Sequence, residues 1–273
     1  MTDIKLIGAT CVYNEEAMIP FVMPYLEKMG YDKFVVYDDG CTDNTIEILK
    51  QYPFIEIRGK MVAEVDSFER RKLLAMTEVL NECIDMTVKN KEHVWFSFTD
   101  FDEVVYCQRD REATVKDFLG FMTEKGFNYY DGRMLHLTWD GSGEKVGLPH
   151  TWEGVRGSWW MMEGRKVLLI DISQFAVFNT FCGNHHMGVK TRGNVKLMNL
   201  ADEGDFNSFH FKYFYKTLEK RDKEVQLVAD ANEATKNVRD CSFPLSDYFL
   251  MKGFFAQKTP PNKKDLGEGL VVV

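Results

Sequence analysis

No two cysteines in this chain form a C-x-x-C pair. The six stand apart at 11, 41, 83, 107, 182 and 241. That scatter offers neither a zinc ribbon nor a disulfide framework, and it fits reduced thiols in a cytosolic setting. Basic charge is also short. Lys and Arg number 34 against 42 Asp and Glu, a net charge of −8. Nucleic-acid phosphates need a basic face, so a nucleic-acid partner is not expected. No run approaches ~20 apolar residues, so no transmembrane helix is expected. The start, Met1-Thr2-Asp3-Ile4-Lys5, has neither the basic n-region nor the apolar h-region of a secretory leader. There is no internal repeat and no low-complexity tract. What remains is globular: 273 residues, 45% of them hydrophobic, suffice for an α/β domain with a sizeable core.

The most informative stretch is Val94-Trp95-Phe96-Ser97-Phe98-Thr99-Asp100-Phe101-Asp102-Glu103. Its apolar, aromatic opening is too short for a typical helix and reads as a strand buried on both faces. It ends in carboxylates, and ligands of open α/β sheets bind outside the carboxyl ends of strands. The period of two points alternate side chains the same way, so Asp100 and Asp102 are expected to share a face. Carboxylates held that close repel unless a cation lies between them. A divalent ion with positions left for phosphate oxygens fits that need.

Upstream, Ile4 to Val12 reads as the first strand, leading into Tyr13-Asn14-Glu15-Glu16, with Asn14 a cap for the next helix. Ile19, Val22, Met23 and Leu26 recur at helical spacing. Pro20 suits the first turn, Pro24 should kink or shorten the helix, and Gly30 is its stop. Lys33 to Tyr37 is a second strand ending in Asp38-Asp39-Gly40-Cys41-Thr42-Asp43-Asn44-Thr45. A helix over 46–51, a strand over 54–57 and a long helix over 67–89 follow. This alternation implies right-handed βαβ units and a largely parallel sheet. Three acidic or amide strand ends should then share one sheet edge. Thr114 reads as the cap of a helix closing at Gly126, and Asn128–Trp139 and Lys166–Phe178 as longer strands. From Ser208 through Glu224, and again over 246–255, helix is expected.

Cys11-Val12-Tyr13-Asn14-Glu15-Glu16 and Phe34 through Thr45 resemble the opening of family 2-type glycosyltransferases, and the D-x-D falls where that family carries it. Within the group, Trp95 through Asp100-Phe101-Asp102-Glu103 is most similar to the small soluble members, with Val104 where Phe is usual. The resemblance covers roughly the first 105 residues and thins beyond 140. It implies a GT-A fold, a single α/β/α sandwich with a mostly parallel central sheet and C-terminal helices. The catalytic domain would span 1–200, with a nucleotide-binding half over 1–105 and an acceptor half over 106–200. Residues 201–273 would be a helical extension of it. The implied reaction moves a sugar with inversion from a nucleotide-diphosphate donor, UDP- or dTDP-linked, to a glycan, lipid-linked glycan or other hydroxyl. Polysaccharide biosynthesis is the implied setting, in the cytoplasm or by peripheral contact at the inner face of a membrane.

The same resemblance places the base of the donor on Asp39, with Cys11, Val12, Tyr13 and Asn14 framing base and ribose. Asp38 is the better residue for the turn itself. Glu15 either caps a helix or meets the ligand. Arg71 or Lys72 either faces a phosphate or lies on a solvated helix face. Asp102 is expected as a metal ligand, with Asp100 beside it or on the ribose. His185 and His186 offer a nitrogen from the far side of the cleft, and His210-Phe211 resembles another downstream histidine of the family. A mixed oxygen and nitrogen set favours Mn²⁺ or Mg²⁺. Inversion needs a general base on the acceptor. Asp140, ending a strand before the long Gly- and Trp-rich stretch, is first choice and Glu153 second, with Glu163 also eligible by position. Trp152, Trp159 and Trp160 either stack on sugars or pack a core.

Other readings compete. Asp100 to Val104 also resembles the nucleophile motif of haloacid-dehalogenase-type phosphatases, but there the motif follows the first strand. A sugar-nucleotide pyrophosphorylase opens with a Gly-rich basic loop that residues 8–16 lack. A non-catalytic nucleotide- or sugar-binding module is the reading from another class.

Overall fold

The computed structural model describes residues 3–59, 68–107, 114–132, 134–139, 155–158, 166–181, 186–191, 206–211 and 243–244. At its centre lies β1 (Ile4–Val12), buried along almost its whole length as an apolar run should be. It is flanked by β2 (Lys33–Asp38) and β4 (His93–Phe98), with β3 (Ile55–Arg58) beyond β2. β9 (Lys166–Asp171) and β6 (Tyr129–Gly132) complete a six-stranded sheet in the order β3-β2-β1-β4-β9-β6. The first four strands are mutually parallel, and β9 pairs antiparallel with both neighbours. The molecule is thus a mixed α/β fold with a mostly parallel central sheet.

Helices cover both faces. α1 (Ile19–Met29), α2 (Thr45–Leu49) and α4 (Val115–Glu124) contribute to one apolar cluster, and α3 (Phe68–Lys89) lays Ala75, Met76, Val79, Leu80 and Cys83 into the other. α4 begins with a capping box. Thr114 Oγ1 accepts the Asp117 N–H at 3.2 Å while the Asp117 carboxylate accepts the Thr114 N–H at 2.7 Å. α1 has no side-chain cap, takes Pro20 in its first turn, continues through Pro24 and stops at Gly30, whose φ is 76°. Asn14 is therefore not its cap.

A second, five-stranded sheet runs in the order β13-β8-β7-β12-β5. It is built from β5 (Glu103–Cys107), β7 (Met134–Trp139), β8 (Val155–Ser158), β12 (Phe206–His210) and β13 (Phe243–Pro244). β10 (Phe175–Phe181) and β11 (His186–Thr191) form an antiparallel pair. Three expectations are corrected here. The expected strand 128–139 is two, β6 in the first sheet and β7 in the second, because the chain changes sheets between Gly132 and Met134. The expected strand 166–178 is broken by a 3-10 turn at Ile172–Gln174. Ser208–His210 is strand, not helix: β12 pairs antiparallel with β5 and parallel with β7, so this segment joins the second sheet instead of a helical extension. The helices expected over 212–224 and 246–255 lie outside the described residues.

Candidate active site

Parallel strands deliver their C-terminal ends to one edge, and β2, β1 and β4 are neighbours there. From β2, Asp38 makes the turn. Its Oδ1 accepts the N–H of Gly40 at 2.9 Å and of Cys41 at 2.7 Å, and Gly40 takes a φ of 100°. The Asp39 N–H donates to the Val12 carbonyl at 2.9 Å, which holds the residue against the end of β1. The Asp39 carboxylate receives a two-pronged pair from Arg71 of α3, Nε to Oδ1 at 3.0 Å and Nη2 to Oδ2 at 2.8 Å. Arg71 is thus committed to a carboxylate at this edge.

The loop after β1 and the loop after β2 are stapled together. Asn14 Oδ1 accepts the Thr42 N–H at 2.8 Å, and the Glu15 N–H donates to Thr45 Oγ1 at 2.7 Å. The Glu16 N–H donates to Asp43 Oδ2 at 3.2 Å, and the Glu16 carboxylate takes the N–H and the side-chain amide of Asn44, both at 3.0 Å. Asn14 bends the chain with φ of 56°, a value asparagine tolerates. Glu16 satisfies an N–H at the start of α2, a cap supplied by a distant loop. Glu15 caps α1 only through its carbonyl, which accepts from Met18 and Ile19. Its carboxyl is pushed up to about 7, first by burial and then by Asp102, Asp43 and Asp100. Tyr13 is 55% exposed, whereas Val12 is buried and presents only backbone. Burial, with Asp39 and Asp100 adding to it, pushes the Cys11 thiol up to about 12, so a neutral sulfhydryl lies among these charges.

The D-x-D does not lie on a strand. β4 stops at Phe98, and Thr99–Asp102 form a turn closed by the Glu103 N–H to the Asp100 carbonyl at 3.0 Å, with Thr99 Oγ1 donating to the Glu103 carbonyl. Extended geometry ends before the aspartates, so the shared face expected of them does not form. Asp100 Oδ1 instead accepts from Lys72 Nζ at 2.8 Å. Asp102 turns toward β12, where His210 Nε2 stands 3.2 Å from Asp102 Oδ2 and 3.9 Å from Glu103 Oε1. The Phe211 N–H donates to the Asp102 carbonyl at 2.8 Å, and antiparallel pairing sets His210 opposite Glu103.

Asp102, Glu103 and His210 each offer one ligand atom, all within 4.8 Å of one another. Glu103 is 0% exposed, and a carboxylate buried that deeply needs positive compensation. One of its oxygens receives the Asp100 N–H at 3.3 Å. Two carboxylates and an imidazole make the donor set expected of Mn²⁺ or Mg²⁺. In this group the nitrogen is that of His210 and the second carboxylate that of Glu103, while Asp100 is paired with Lys72. His186 opens β11, and His185, Asp140, Glu153, Glu163 and the three loop tryptophans lie outside the described residues. Trp95, in contrast, is buried in the core, with Nε1 donating to Thr123 Oγ1 at 3.2 Å. Sequence reasoning gave Glu103 no role. Only the cross-strand register with His210 singles it out.

Comparison with known proteins gives likenesses of different extent. Over 51 residues the chain is 39% identical to the UDP-N-acetylglucosamine–dolichyl-phosphate N-acetylglucosaminyltransferase of Methanococcus voltae, covering 19% of this chain and 20% of that enzyme. S. aureus TarS 1-349, solved with UDP, aligns at 18% identity and a TM-score of 0.34 over 54% of this chain and 39% of its own. A 4-diphosphocytidyl-2C-methyl-D-erythritol synthase aligns at 10% identity and a TM-score of 0.29, over 63% of this chain and 77% of its own. Both superpositions are loose, and the functional reading stands on the site residues and the sequence likenesses. The chain thus spans about a fifth of the archaeal enzyme's length. Residues 8–136, just under half of the chain, match glycosyltransferase family 92 where the motifs had resembled family 2, and this likeness supports sugar transfer.

Proposed function

We propose that this chain transfers a sugar from a nucleotide-diphosphate donor, UDP- or dTDP-linked, to a hydroxyl of a glycan or lipid-linked glycan, with inversion. The observation that carries the reading is the gathering of Asp39, Asp100 and the Asp102–Glu103–His210 group at one sheet edge. In this reading Asp39 accepts from a pyrimidine N–H. Cys11, Val12, Tyr13 and Asn14 frame the nucleoside, Glu15 faces it, and Asp100 meets the ribose. Asp102, Glu103 and His210 would hold Mn²⁺ or Mg²⁺, with His185 and His186 as far-side candidates. When bound, the ion supplies positive charge against the leaving diphosphate. Asp140 takes the acceptor proton, with Glu153 as its alternative. What supports Asp140 is that β7 runs past the register of His210 to Trp139, the residue before it.

No described helix is long and apolar enough to cross a membrane. Peripheral contact with the membrane that carries a lipid-linked acceptor is part of this reading. The test is calorimetry with UDP, dTDP, GDP, CDP and ADP, each with and without Mn²⁺, followed by release of free nucleoside diphosphate from the matching donor. Mn²⁺-dependent pyrimidine binding with release is the expected result. Binding without release would leave a non-catalytic nucleotide-binding module, and no binding would overturn the reading.

A further inference from the structure

Lys72 has two obvious readings from sequence, a phosphate ligand or a solvated helix residue. The structure adds a third. Its side chain is 7% exposed, and its Nζ lies 2.8 Å from Asp100 Oδ1. Lysine is seldom buried unless paired, since an isolated ammonium loses its hydration. The preceding residue, Arg71, grips Asp39. Two consecutive residues of α3 thus reach carboxylates at the ends of β2 and β4, on either side of β1, whose Cys11 feels all four charges.

We infer that Lys72 is a positioning residue that turns Asp100 toward the nucleoside and holds it out of the metal group. The inference rests on the donor reading above. An ammonium at 2.8 Å anchors one Asp100 oxygen, while the side chain as a whole stays 30% exposed at the cleft edge. A carboxylate so compensated draws a cation less strongly, yet still accepts hydrogen bonds from neutral hydroxyls such as those of ribose. This explains how two aspartates one residue apart can serve different partners. Asp102 keeps its charge for the ion and Asp100 is kept for the sugar of the nucleoside. Lys72 acts through Asp100 and touches no phosphate.

The experiment uses the full chain and four probes: Mn²⁺ alone, followed by electron paramagnetic resonance, and uridine, UMP and UDP, followed by calorimetry. Lys72→Met should weaken uridine, UMP and UDP by a similar factor, about tenfold for a misplaced charge-assisted contact. It should tighten Mn²⁺ alone by about three- to tenfold, because Asp100's charge then acts on the site without that lysine's compensation. A purely structural lysine would lower stability without weakening uridine in the folded variant. Lys72→Arg should restore most nucleoside affinity, and Asp100→Asn should weaken the nucleoside while weakening Mn²⁺ by no more than about three- to tenfold, the effect of the unpaired lysine charge alone. Loss confined to UDP, with uridine unaffected, would make Lys72 a phosphate ligand and overturn the inference. So would Lys72→Met that binds every probe as the wild type does, or Asp100→Asn that loses Mn²⁺. If Lys72→Met does not fold, the Arg and Asn variants decide. Wild-type protein that binds neither Mn²⁺ nor any nucleotide would instead refute the donor reading, and this inference with it.

Discussion

Gly8→Ala should destabilise the fold by a predictable amount. Gly8 sits mid-way along β1, opposite Phe34 of β2 and Ser97 of β4. The Tyr31 ring lies across this row, tilted on Phe34 with centroids 4.7 Å apart, and its hydroxyl donates to Ser97 Oγ at 2.9 Å. A Cβ on residue 8 would stand 2.5 Å from Phe34 Cδ2 and 2.7 Å from Tyr31 Cε1. Both rings are buried, so neither can swing into solvent. Forcing a methyl into a packed core costs about 1–3 kcal/mol. Pulling the phenol from Ser97 adds about 1 kcal/mol. The urea midpoint of Gly8→Ala should therefore fall by the equivalent of about 2–4 kcal/mol with an unchanged slope. The same substitution in a Tyr31→Leu background should cost measurably less, since one of the two obstructing rings is gone. A cost below about 0.5 kcal/mol, the range of an ordinary surface change, would refute the packing described.

Three further outcomes are expected. Asp39→Asn should weaken UDP binding by about 1.5–3 kcal/mol through loss of a charge-assisted bond, and unchanged affinity by calorimetry would remove Asp39 from base recognition. Asp140→Asn should keep donor binding but lose transfer by roughly 10²–10⁴-fold. If it keeps transfer while Glu153→Gln is dead, the base is Glu153. Burial, with Asp102, Asp43 and Asp100 adding to it, pushes the Glu15 carboxyl up from 4.5 to about 7 in the folded chain. The folded state therefore holds its proton more tightly, and this contribution to stability is complete below the unfolded value and lost as pH rises through about 7. Urea midpoints should then show Glu15→Gln gaining on the wild type between about pH 5 and pH 8, and a constant difference would contradict the burial of that carboxyl.

Much of the first half was legible in the sequence because its signals are local. The apolar run of β1, the 3.6-residue spacing of Met76, Leu80 and Cys83, and the Thr114–Asp117 box each act within a few residues. Asp38 as the turn residue was legible for the same reason. The failures concern long-range pairing. Phe209 and His210 are both buried, so they show no alternation to mark a strand, and the charged stretch that follows draws the segment into a helical reading. Only pairing with β5, about a hundred residues earlier, makes them a strand and brings His210 to Glu103. The D-x-D misled in another way. The motif's spacing is readable, but its geometry depends on where β4 stops, and Lys72 and His210 arrive from different elements to part the two aspartates.

The staple between the β1–α1 and β2–α2 loops has a consequence for redesign. Asn14 and Glu16 spend their side chains on Thr42 and Asn44, and the backbone of 15–16 is held by Thr45 and Asp43. The two loops are therefore one exchangeable part. Grafting a foreign β2–α2 loop alone would strand the Glu16 carboxylate and the Asn14 amide without their present partners. Redesigning this corner of the scaffold means moving 13–16 and 42–45 together, as a cassette whose halves lie about thirty residues apart in the chain.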